Sequence, residues 1–545
     1  AEGVRVFHRD ELDRIQREMR EIKGTTVIIY DQTCATEKRR RRKRGTMVEP
    51  TERVVINELV CEGCGDCGVQ SNCLSVEPLE TEFGRKRTIN QSSCNKDYSC
   101  VKGFCPSFVT VEGGTLKKKS ATRTGTAVDG LTALPEPALP MLGHHAAGVW
   151  GVVVAGVGGT GVITLGQLLG MAAHLEGKGI VTQDAAGLAQ KGGATWSHIL
   201  IASRQDDILT TRVGTAGADL VLGCDPIVAA GKETLMRIQG SRTRVALNTH
   251  SAPTAAFVHQ PDWRNPAEQC LADIAATKPA QMATFDADAA ALALMGDSLY
   301  ANPMLLGFAW QKGWLPISRE ALLQAMVLNA VAVEKNQAAF EWGRRAAHEP
   351  EVVQRLLAPA QTLHFKSRES LQALINRRVE FLTGYQNAAY AQSYQAVVER
   401  VQAAESALSA EAGHPAQRLS LTEAVARNLF KLMAYKDEYE VARLHTDPGF
   451  LSGIQAQFEG GVRLHYHLAP PLLARKNERG ELIKQSFGPA MGQVFRLLAR
   501  LKGLRGTPLD PFGYTAERRT ERALIQEYRA CVDELLTSLT LERHA

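Results

Sequence analysis

The order of apolar and polar residues predicts a small α/β unit at the start of the sequence. Apolar runs at residues 4–8 and 25–30 predict strands, and the amphipathic stretch from Asp10 to about Lys23 predicts a helix between them. One strand-helix-strand unit cannot bury both faces of a sheet. We therefore expect its neighbours to come from residues before Ala1 or from another chain, so that the sequence starts inside a domain.

A second pattern begins near residue 149, where strand-like runs alternate with helical periodicity. This alternation predicts a doubly wound, Rossmann-like α/β domain. The helix expected at its end, residues 318–345, has apolar positions at Leu322, Met326, Ala330 and Val333. The strands are expected at residues 150–155, 179–183, 195–202, 220–223 and 244–248.

Beyond residue 347 the pattern is mainly helical. One hairpin is expected, with strands at residues 454–458 and 462–468 around Gly460 and Gly461. His465 and His467 share one face of its second strand, but no third metal ligand accompanies them. We therefore interpret the pair as part of a polar sheet face.

Length and composition fit a soluble, multidomain protein. The 545 residues, 44% hydrophobic and 22% charged, suggest three or four domains. The longest uncharged apolar stretch, about residues 146–173, contains Gly156, Gly158, Gly159 and Gly161, which predict a loop and not a membrane span. No secretory pattern opens the sequence, so we expect a cytoplasmic protein without membrane association.

The positive charge is local. The net charge is +5, and the run from Lys38 to Arg44 contributes seven positive charges, which leaves 56 basic and 58 acidic residues elsewhere. Such a run can bind nucleic acid. Because no basic surface interleaved with aromatic residues extends it, we favour a loop facing an anionic ligand or an acidic protein over nucleic acid.

Seven of the eleven cysteines lie between Cys61 and Cys105. The spacing of Cys61, Cys64 and Cys67 is typical of three ligands of a four-iron cluster, and Cys105, which precedes Pro106, supplies the fourth. A zinc site needs only two pairs of ligands, and disulfides are unusual in a cytoplasmic chain. The pattern therefore indicates a 4Fe-4S cluster.

A second cluster is predicted from Cys73, Cys94, Asp97 and Cys100. Cys94, Asp97 and Cys100 follow the ferredoxin spacing with aspartate at the middle position, which resembles bacterial-type ferredoxins with that substitution. The five residues between Cys67 and Cys73, the lack of a proline after Cys73 and the four residues between Cys100 and Cys105 depart from the pattern. The alternative is that Asp97 is an exposed loop acid and the three thiols only pack.

Gly156, Gly158, Gly159 and Gly161 follow a predicted strand and precede an apolar helix. Such a loop lets the backbone approach a phosphate at the helix N-terminus, and Asp184 follows the next strand as the acid of a dinucleotide site would. NAD or FAD binding is one interpretation. However, Asp184 opens a second glycine-bearing segment, residues 184–198, where a simple nucleotide-binding fold has its second helix.

Several of these motifs together resemble a known family. The glycine loop, the Lys191-Gly192-Gly193 segment, residues 302–307, Pro316 and the pattern from Glu334 to Gly343 resemble the gamma domain of 2-oxoacid:ferredoxin oxidoreductases. From Tyr30 through the basic run, the cysteine segment and the helical tail, the chain resembles the C-terminal part of fused indolepyruvate ferredoxin oxidoreductases.

The resemblance implies oxidative decarboxylation of an aryl 2-oxoacid on thiamine diphosphate and Mg²⁺, acyl transfer to coenzyme A, and electron transfer through iron-sulfur clusters to ferredoxin. It implies that upstream domains or a subunit carry most of the thiamine site, and we expect a homo-oligomer. No residue is identified as the catalytic base. The implied domains are the end of a thiamine-diphosphate-binding domain at 1–50, a ferredoxin-like 4Fe-4S domain at 51–115, a linker at 116–147, a Rossmann-like gamma domain at 148–346 and a mainly helical domain at 347–545.

Two other functions fit parts of the sequence. A flavin- or NAD-linked iron-sulfur oxidoreductase would use the glycine loop for a dinucleotide. A cysteine-cluster protein that binds nucleic acid would use the arginine-rich run.

Overall fold

The computed structural model describes residues 4–117, 133–143, 148–186, 193–252, 257, 260, 263–357, 370–411, 419–470 and 483–540. The chain forms two compact units: the residues up to Pro50 with Asn95–Asp97, and Thr51–Cys94 with Tyr98 onward. None of the described helices is long and apolar enough to cross a membrane.

The first unit contains helices α1 (Leu12–Glu21) and α2 (Ala35–Lys43). The helix predicted after Asp10 is confirmed, whereas the strands predicted at residues 4–8 and 25–30 are wrong. A strand requires a hydrogen-bonded neighbour, and the described residues of this unit supply none. Apolar side chains from both runs are exposed instead, including Val6 at 92% and Ile29 at 85%.

The basic run is helical and not the loop that we expected. α2 contains it up to Lys43, and Glu37 lies 3.0 Å from Arg41, one turn further along the helix. An ion pair at this spacing supports a helix.

The cysteine segment has the order strand, helix, two strands, turn, two strands. Its elements are β1 (Glu52–Ile56), α3 (Asp66–Ser71), β2 (Val76–Thr81), β3 (Gly84–Ile89), a 3₁₀ turn (Ser99–Lys102), β4 (Phe108–Glu112) and β5 (Thr115–Leu116). β2 and β3 form an antiparallel hairpin, and β1 pairs antiparallel with β4. The cysteine loops lie at the ends of these paired strands.

The next region is built on a six-stranded sheet of order β11-β10-β9-β6-β8-β7. Its strands are β6 (Trp150–Val157), β7 (Gly179–Ala186), β8 (Ala194–Ala202), β9 (Leu220–Gly223), β10 (Arg244–Asn248) and β11 (Gln281–Phe285). The five predicted strands are confirmed, and β11 was not predicted.

The core of this sheet is parallel, but the winding departs from the prediction. β6, β9, β10 and β11 are parallel, while β8 runs antiparallel to both β6 and β7. Only residues 187–193 separate β7 from β8, and a parallel crossover needs a dozen or more residues. These two strands therefore pair antiparallel, so the expected continuous alternation is interrupted here.

Helices cover both faces of the sheet. Val152 and Val154 pack into the cluster formed with α4, and Val153 packs into a cluster on the other face. The helices of this region are α4 (Val162–Leu175), α5 (Pro226–Ala229), α6 (Lys232–Leu235), α7 (Ala267–Ala276), α8 (Ala287–Met295), α9 (Ala301–Gln311), α10 (Arg319–Asn329) and α11 (Val333–His348).

The single helix predicted at residues 318–345 is wrong. It is divided into α10 and α11 because Ala330 (φ +54°) and Ala332 (φ +43°) adopt left-handed backbone conformations. Leu322 and Met326 are buried as expected, whereas Ala330 is exposed at the break. No glycine or proline marks this break, so the pattern could not predict it.

The rest of the chain is mainly helical. Its elements are α12 (Pro350–Leu357), α13 (Leu371–Tyr385), α14 (Ala388–Glu411), α15 (Ser420–Met433), α16 (Glu438–His445), α17 (Pro448–Gln457), β12 (Phe458–Glu459), β13 (Arg463–Leu468), β14 (Gln485–Phe487), α18 (Met491–Arg500) and α19 (Ala516–Thr537). Leu382, Tyr394 and Phe430 share the core of α13, α14 and α15.

The hairpin predicted around Gly460 and Gly461 is wrong. Residues 454–457 belong to α17, β12 pairs with β5, and β13 pairs with β4 and β14. The polar face is confirmed: His465 Nε2 lies 2.7 Å from Glu112 Oε2, and His467 Nε2 lies 2.6 Å from Thr110 Oγ1. β12 and β13 therefore pair with strands of the cysteine segment and with β14, and not with each other across the local turn.

Candidate functional site

The loop between β1 and α3 is shaped by two glycines among its cysteines. Gly63 (φ +70°) and Gly65 (φ +85°) are left-handed, and a Cβ at Gly63 would lie 2.1 Å from the carbonyl oxygen of Arg85. Only glycine fits so close to β3 in this conformation. The loop therefore curls directly against the β2–β3 hairpin.

A second loop brings Cys105 to the first. The backbone N–H of Phe104 donates to Asp66 Oδ2 at 3.1 Å, and a Cβ at Gly103 would lie 1.7 Å from the same oxygen. Asp66 therefore holds the segment that precedes Cys105 next to the segment that precedes Cys67.

The structure brings the thiols of Cys61, Cys64, Cys67 and Cys105 together. The Cys64 thiol hydrogen-bonds to the Cys105 sulfur, which lowers the pKa of Cys105 and raises that of Cys64. Burial, together with the neighbouring Cys61 and Cys105 sulfurs, raises the pKa of Cys67 to about 12. Cys61, Cys67 and Cys105 are buried, and Cys64 is exposed.

Two further hydrogen bonds involve these sulfurs. The Gly63 N–H donates to Cys61 Sγ at 3.3 Å, and Ser107 Oγ lies 3.0 Å from Cys105 Sγ. Hydrogen bonds of this kind stabilise negative charge on sulfur and help to set the potential of an iron-sulfur cluster.

A buried arginine and a half-buried lysine lie beside the thiols, and the sequence analysis did not identify them. Arg87 is 2% exposed, and its Nη2 has no hydrogen-bond partner. Burial lowers the pKa of Arg87, and the nearby Cys67, Cys61 and Cys64 sulfurs act against that shift. Lys484 Nζ donates to the Cys105 carbonyl at 2.7 Å. The basic triplet Arg85-Lys86-Arg87, close in sequence to the cysteines, was the available signal.

Four cysteine thiols are the donors that a cubane iron-sulfur cluster takes. Within the described ranges, no three histidine, cysteine, aspartate or glutamate side chains are grouped so as to hold one metal ion. A cubane cluster spreads its ligands over separate corners, and four thiolates are its usual ligand set. A buried guanidinium beside thiols, with one nitrogen that has no hydrogen-bond partner, also suits a bound group of negative charge.

The thiols predicted to hold a second cluster lie next to the first group. Cys73, Cys94 and Cys100 belong to the same apolar cluster as Cys67 and Cys105. Asp97 belongs to the other compact unit, with Asn95 and Lys96. Its role as a ligand stays a prediction.

The glycine loop lies between β6 and α4. Gly156 and Gly158 are buried, Gly159 is exposed, and Gly161 (φ +108°) immediately precedes α4. The N–H of Gly158 donates to the Gly193 carbonyl at 2.7 Å, so this donor is already used within the protein. Lys191 and Gly192 of the second motif lie outside the described residues.

Asp184 is not placed as the acid of a dinucleotide site. It lies on β7, which β8 separates from β6, and Ser197 Oγ donates to its Oδ1 at 2.6 Å. In a Rossmann fold that acid ends a strand adjacent to the first. Asp184 here links β7 to β8, which weakens the dinucleotide interpretation.

Two family descriptions match parts of the chain. Residues 151–346 match "Pyruvate ferredoxin/flavodoxin oxidoreductase", and residues 371–545 match a family of unknown function, DUF6537. The first match covers the six-stranded sheet and its helices, and the second covers α13 to α19.

The region of the six-stranded sheet is also similar in sequence to subunits of known oxidoreductases. The indolepyruvate oxidoreductase subunit IorB of Methanothermobacter thermautotrophicus is 28% identical over 202 residues, which cover 37% of this chain and 98% of that protein. The subunit of the same name from Pyrococcus horikoshii is 25% identical over 202 residues, 37% of this chain and 96% of that protein.

Among solved structures, the gamma subunit of a keto/oxoacid ferredoxin oxidoreductase from Geobacter sulfurreducens is similar at 20% identity. The match covers 36% of this chain and 98% of that chain, with a TM-score of 0.26, which supports no further conclusion.

Proposed function

Because this chain is a member of the 2-oxoacid:ferredoxin oxidoreductase family through its domain at residues 151–346, we propose that it transfers electrons from oxidation of an aryl 2-oxoacid to ferredoxin. The observation that carries the proposal is the convergence of Cys61, Cys64, Cys67 and Cys105 beside the buried Arg87. A 4Fe-4S cluster held there supplies one-electron transfer.

Indolepyruvate is the proposed substrate because the named relatives are indolepyruvate oxidoreductase subunits. The products of the proposed reaction are an acyl-coenzyme A, carbon dioxide and two electrons. Thiamine diphosphate with Mg²⁺ supplies the chemistry of decarboxylation, and we assign it to a companion domain or subunit.

The exposed apolar side chains of the first compact unit are an argument for such a companion. Val6, Val27, Ile29 and Tyr30 are each more than half exposed, although water-exposed apolar side chains favour burial in an interface. We propose that the thiamine-binding part covers them.

Iron analysis tests the proposal. Chain purified without oxygen is expected to contain about four iron and four sulfide per cluster, or about eight of each if Cys73, Cys94, Asp97 and Cys100 hold a second cluster. Cys64→Ser should lose the iron of the first cluster. Cys531→Ser, which changes an exposed cysteine on α19, is the matched control and should keep it.

Substrate-dependent reduction completes the test. With its companion, thiamine diphosphate, Mg²⁺ and coenzyme A, the parent protein should bleach on addition of indolepyruvate, as electrons enter the cluster. Stoichiometric zinc in place of iron, or iron that indolepyruvate never reduces, would contradict the proposal.

A further inference from the structure

A cavity of about 880 Å³ lies between the cysteine segment and the C-terminal helices. Phe104 and Cys105 line one side, and Leu432 of α15, Phe495 of α18 and Leu524 of α19 line the other. Ligand-binding cavities are typically about 300–1,000 Å³. The cavity is therefore large enough for a small molecule with several rings.

The charged side chains of the lining are mostly paired with one another. Lys436 Nζ lies 2.6 Å from Glu62 Oε1, and Arg518 Nη1 lies 2.6 Å from Glu521 Oε2. Asp437 accepts a hydrogen bond from Arg505, and Glu438 lies 3.4 Å from Arg518. The remaining charged lining residues, Lys431 and Glu517, are exposed. Paired charges do not require a charged ligand, so the cavity favours a neutral one.

The remaining lining is apolar and aromatic. Tyr435, Phe512 and Tyr528 contribute rings, and Phe104 is 60% exposed. Rings of this kind stack on flat ligands. Neutral hydrogen-bonding groups are present too, because Asn428 and Tyr528 both line the cavity.

The cavity reaches the candidate cluster site. Cys64, the exposed member of the four thiols, lines it together with Cys105. A ligand in contact with these two residues lies next to whatever group the thiols hold. This position suits an electron acceptor, whereas a purely structural apolar ligand would gain nothing from it.

We propose that this cavity binds a neutral, flat quinone as an electron acceptor. The inference rests on the proposed function, which supplies the two electrons. The quinone gains these electrons one at a time from the cluster held by Cys61, Cys64, Cys67 and Cys105. It takes two protons from water at the open side of the cavity and leaves as hydroquinone, and the cluster returns to its oxidised state.

Menadione, a naphthoquinone without a tail, is the probe. Isothermal titration of the full chain, oxidised and free of oxygen, should show one site per chain with a Kd on the order of micromolar. Leu524→Trp should weaken binding about tenfold or more, because the larger side chain fills the cavity. Leu524 is 42% exposed, so the substitution should not prevent folding, which circular dichroism checks.

Leu497→Trp is the matched control. Leu497 lies on α18, is 61% exposed and is not part of the cavity lining, so this variant should bind menadione like the parent. After dithionite reduction, reoxidation by menadione should saturate with menadione concentration in the parent and in Leu497→Trp, but not in Leu524→Trp.

Each contrary outcome overturns the inference, and the results show whether the proposed function fails with it. If indolepyruvate reduces the cluster but menadione shows no stoichiometric binding, the quinone site is wrong and the proposed function stands. If menadione binds a chain that holds no iron, its role as an acceptor is wrong along with the cluster. Equal weakening in both tryptophan variants would place binding elsewhere.

Discussion

Arg87 illustrates at the scale of a residue what spacing alone does not predict. The cysteine spacing predicted four thiols that the structure brings together. It could not predict the cation, because Arg87 approaches the thiols through the β2–β3 hairpin, where its guanidinium also lies 4.1 Å from the Phe257 ring. The partners of a buried charge depend on tertiary packing, which leaves only a weak trace in the sequence.

Replacing Arg87 by glutamine should make the reduction potential of the first cluster more negative. A positive charge stabilises the reduced, more negative cluster, and one buried unit charge beside it contributes on the order of 50–100 mV. Redox titration followed by electron paramagnetic resonance measures the shift. Arg87→Lys retains the charge and should shift the potential much less; equal shifts in both variants would show that packing, and not charge, is responsible.

Asp97→Cys tests the second cluster. If Asp97 ligates iron, a thiolate should hold that iron more firmly than a carboxylate does, because iron-sulfur chemistry favours soft ligands. Mild oxidation should produce a three-iron resonance signal in the parent that is weaker in Asp97→Cys and stronger in Asp97→Ala. Identical spectra in all three proteins would make Asp97 a bystander.

At the scale of elements, α9 and α11 cross with their backbones in contact. A Cβ at Gly307 would lie 1.9 Å from the Phe340 carbonyl oxygen, and one at Gly343 would lie 1.8 Å from the Met304 carbonyl oxygen. These glycines belong to two of the motifs on which the family resemblance was based, residues 302–307 and the pattern from Glu334 to Gly343. The structure gives them a packing role, since each permits the close approach of the other helix.

Gly343→Ala should therefore destabilise the domain at residues 151–346. The added methyl group meets rigid backbone, and overpacking of this kind costs about 1–3 kcal/mol or more, equivalent to a fall in Tm of roughly 2–10 °C. Differential scanning calorimetry measures it. Gly453→Ala is the control, because no atom lies within 4 Å of its Cβ position on α17, and it should be neutral or slightly stabilising.

Local periodicity predicted elements well where both faces of a strand are buried, as in β6, β9 and β10. It failed where pairing depends on distant segments. β13 forms a sheet with β4, more than 300 residues earlier along the chain, and not with the residues before the Gly460-Gly461 turn. α10 and α11 separate at alanines, whose side chains carry no signal for a left-handed turn.

At the scale of the whole molecule, the charge remains concentrated in α2. Side chains of Arg40 and Arg41 are 55% and 49% exposed, whereas Arg42 donates to the carbonyl of Asn95 at 2.7 Å. Arg42 therefore has a structural contact, and the exposed arginines are the better candidates for guiding an acidic partner. Ferredoxins are such partners under the proposed function.

Changing Arg40, Arg41 and Arg44 to glutamine should raise the apparent KM for ferredoxin at low ionic strength and flatten its dependence on salt. Electrostatic steering acts over a Debye length of about 8 Å at physiological salt and lengthens as salt is removed. Activity with a small neutral dye should stay nearly unchanged. Changing Arg14, Arg17 and Arg20, exposed on α1, to glutamine removes the same three positive charges and controls for net charge. If the α1 control raises the KM for ferredoxin equally, the total charge of the protein and not the position of the arginines determines the effect. If the activities with ferredoxin and with the dye fall together, the basic run serves folding or assembly.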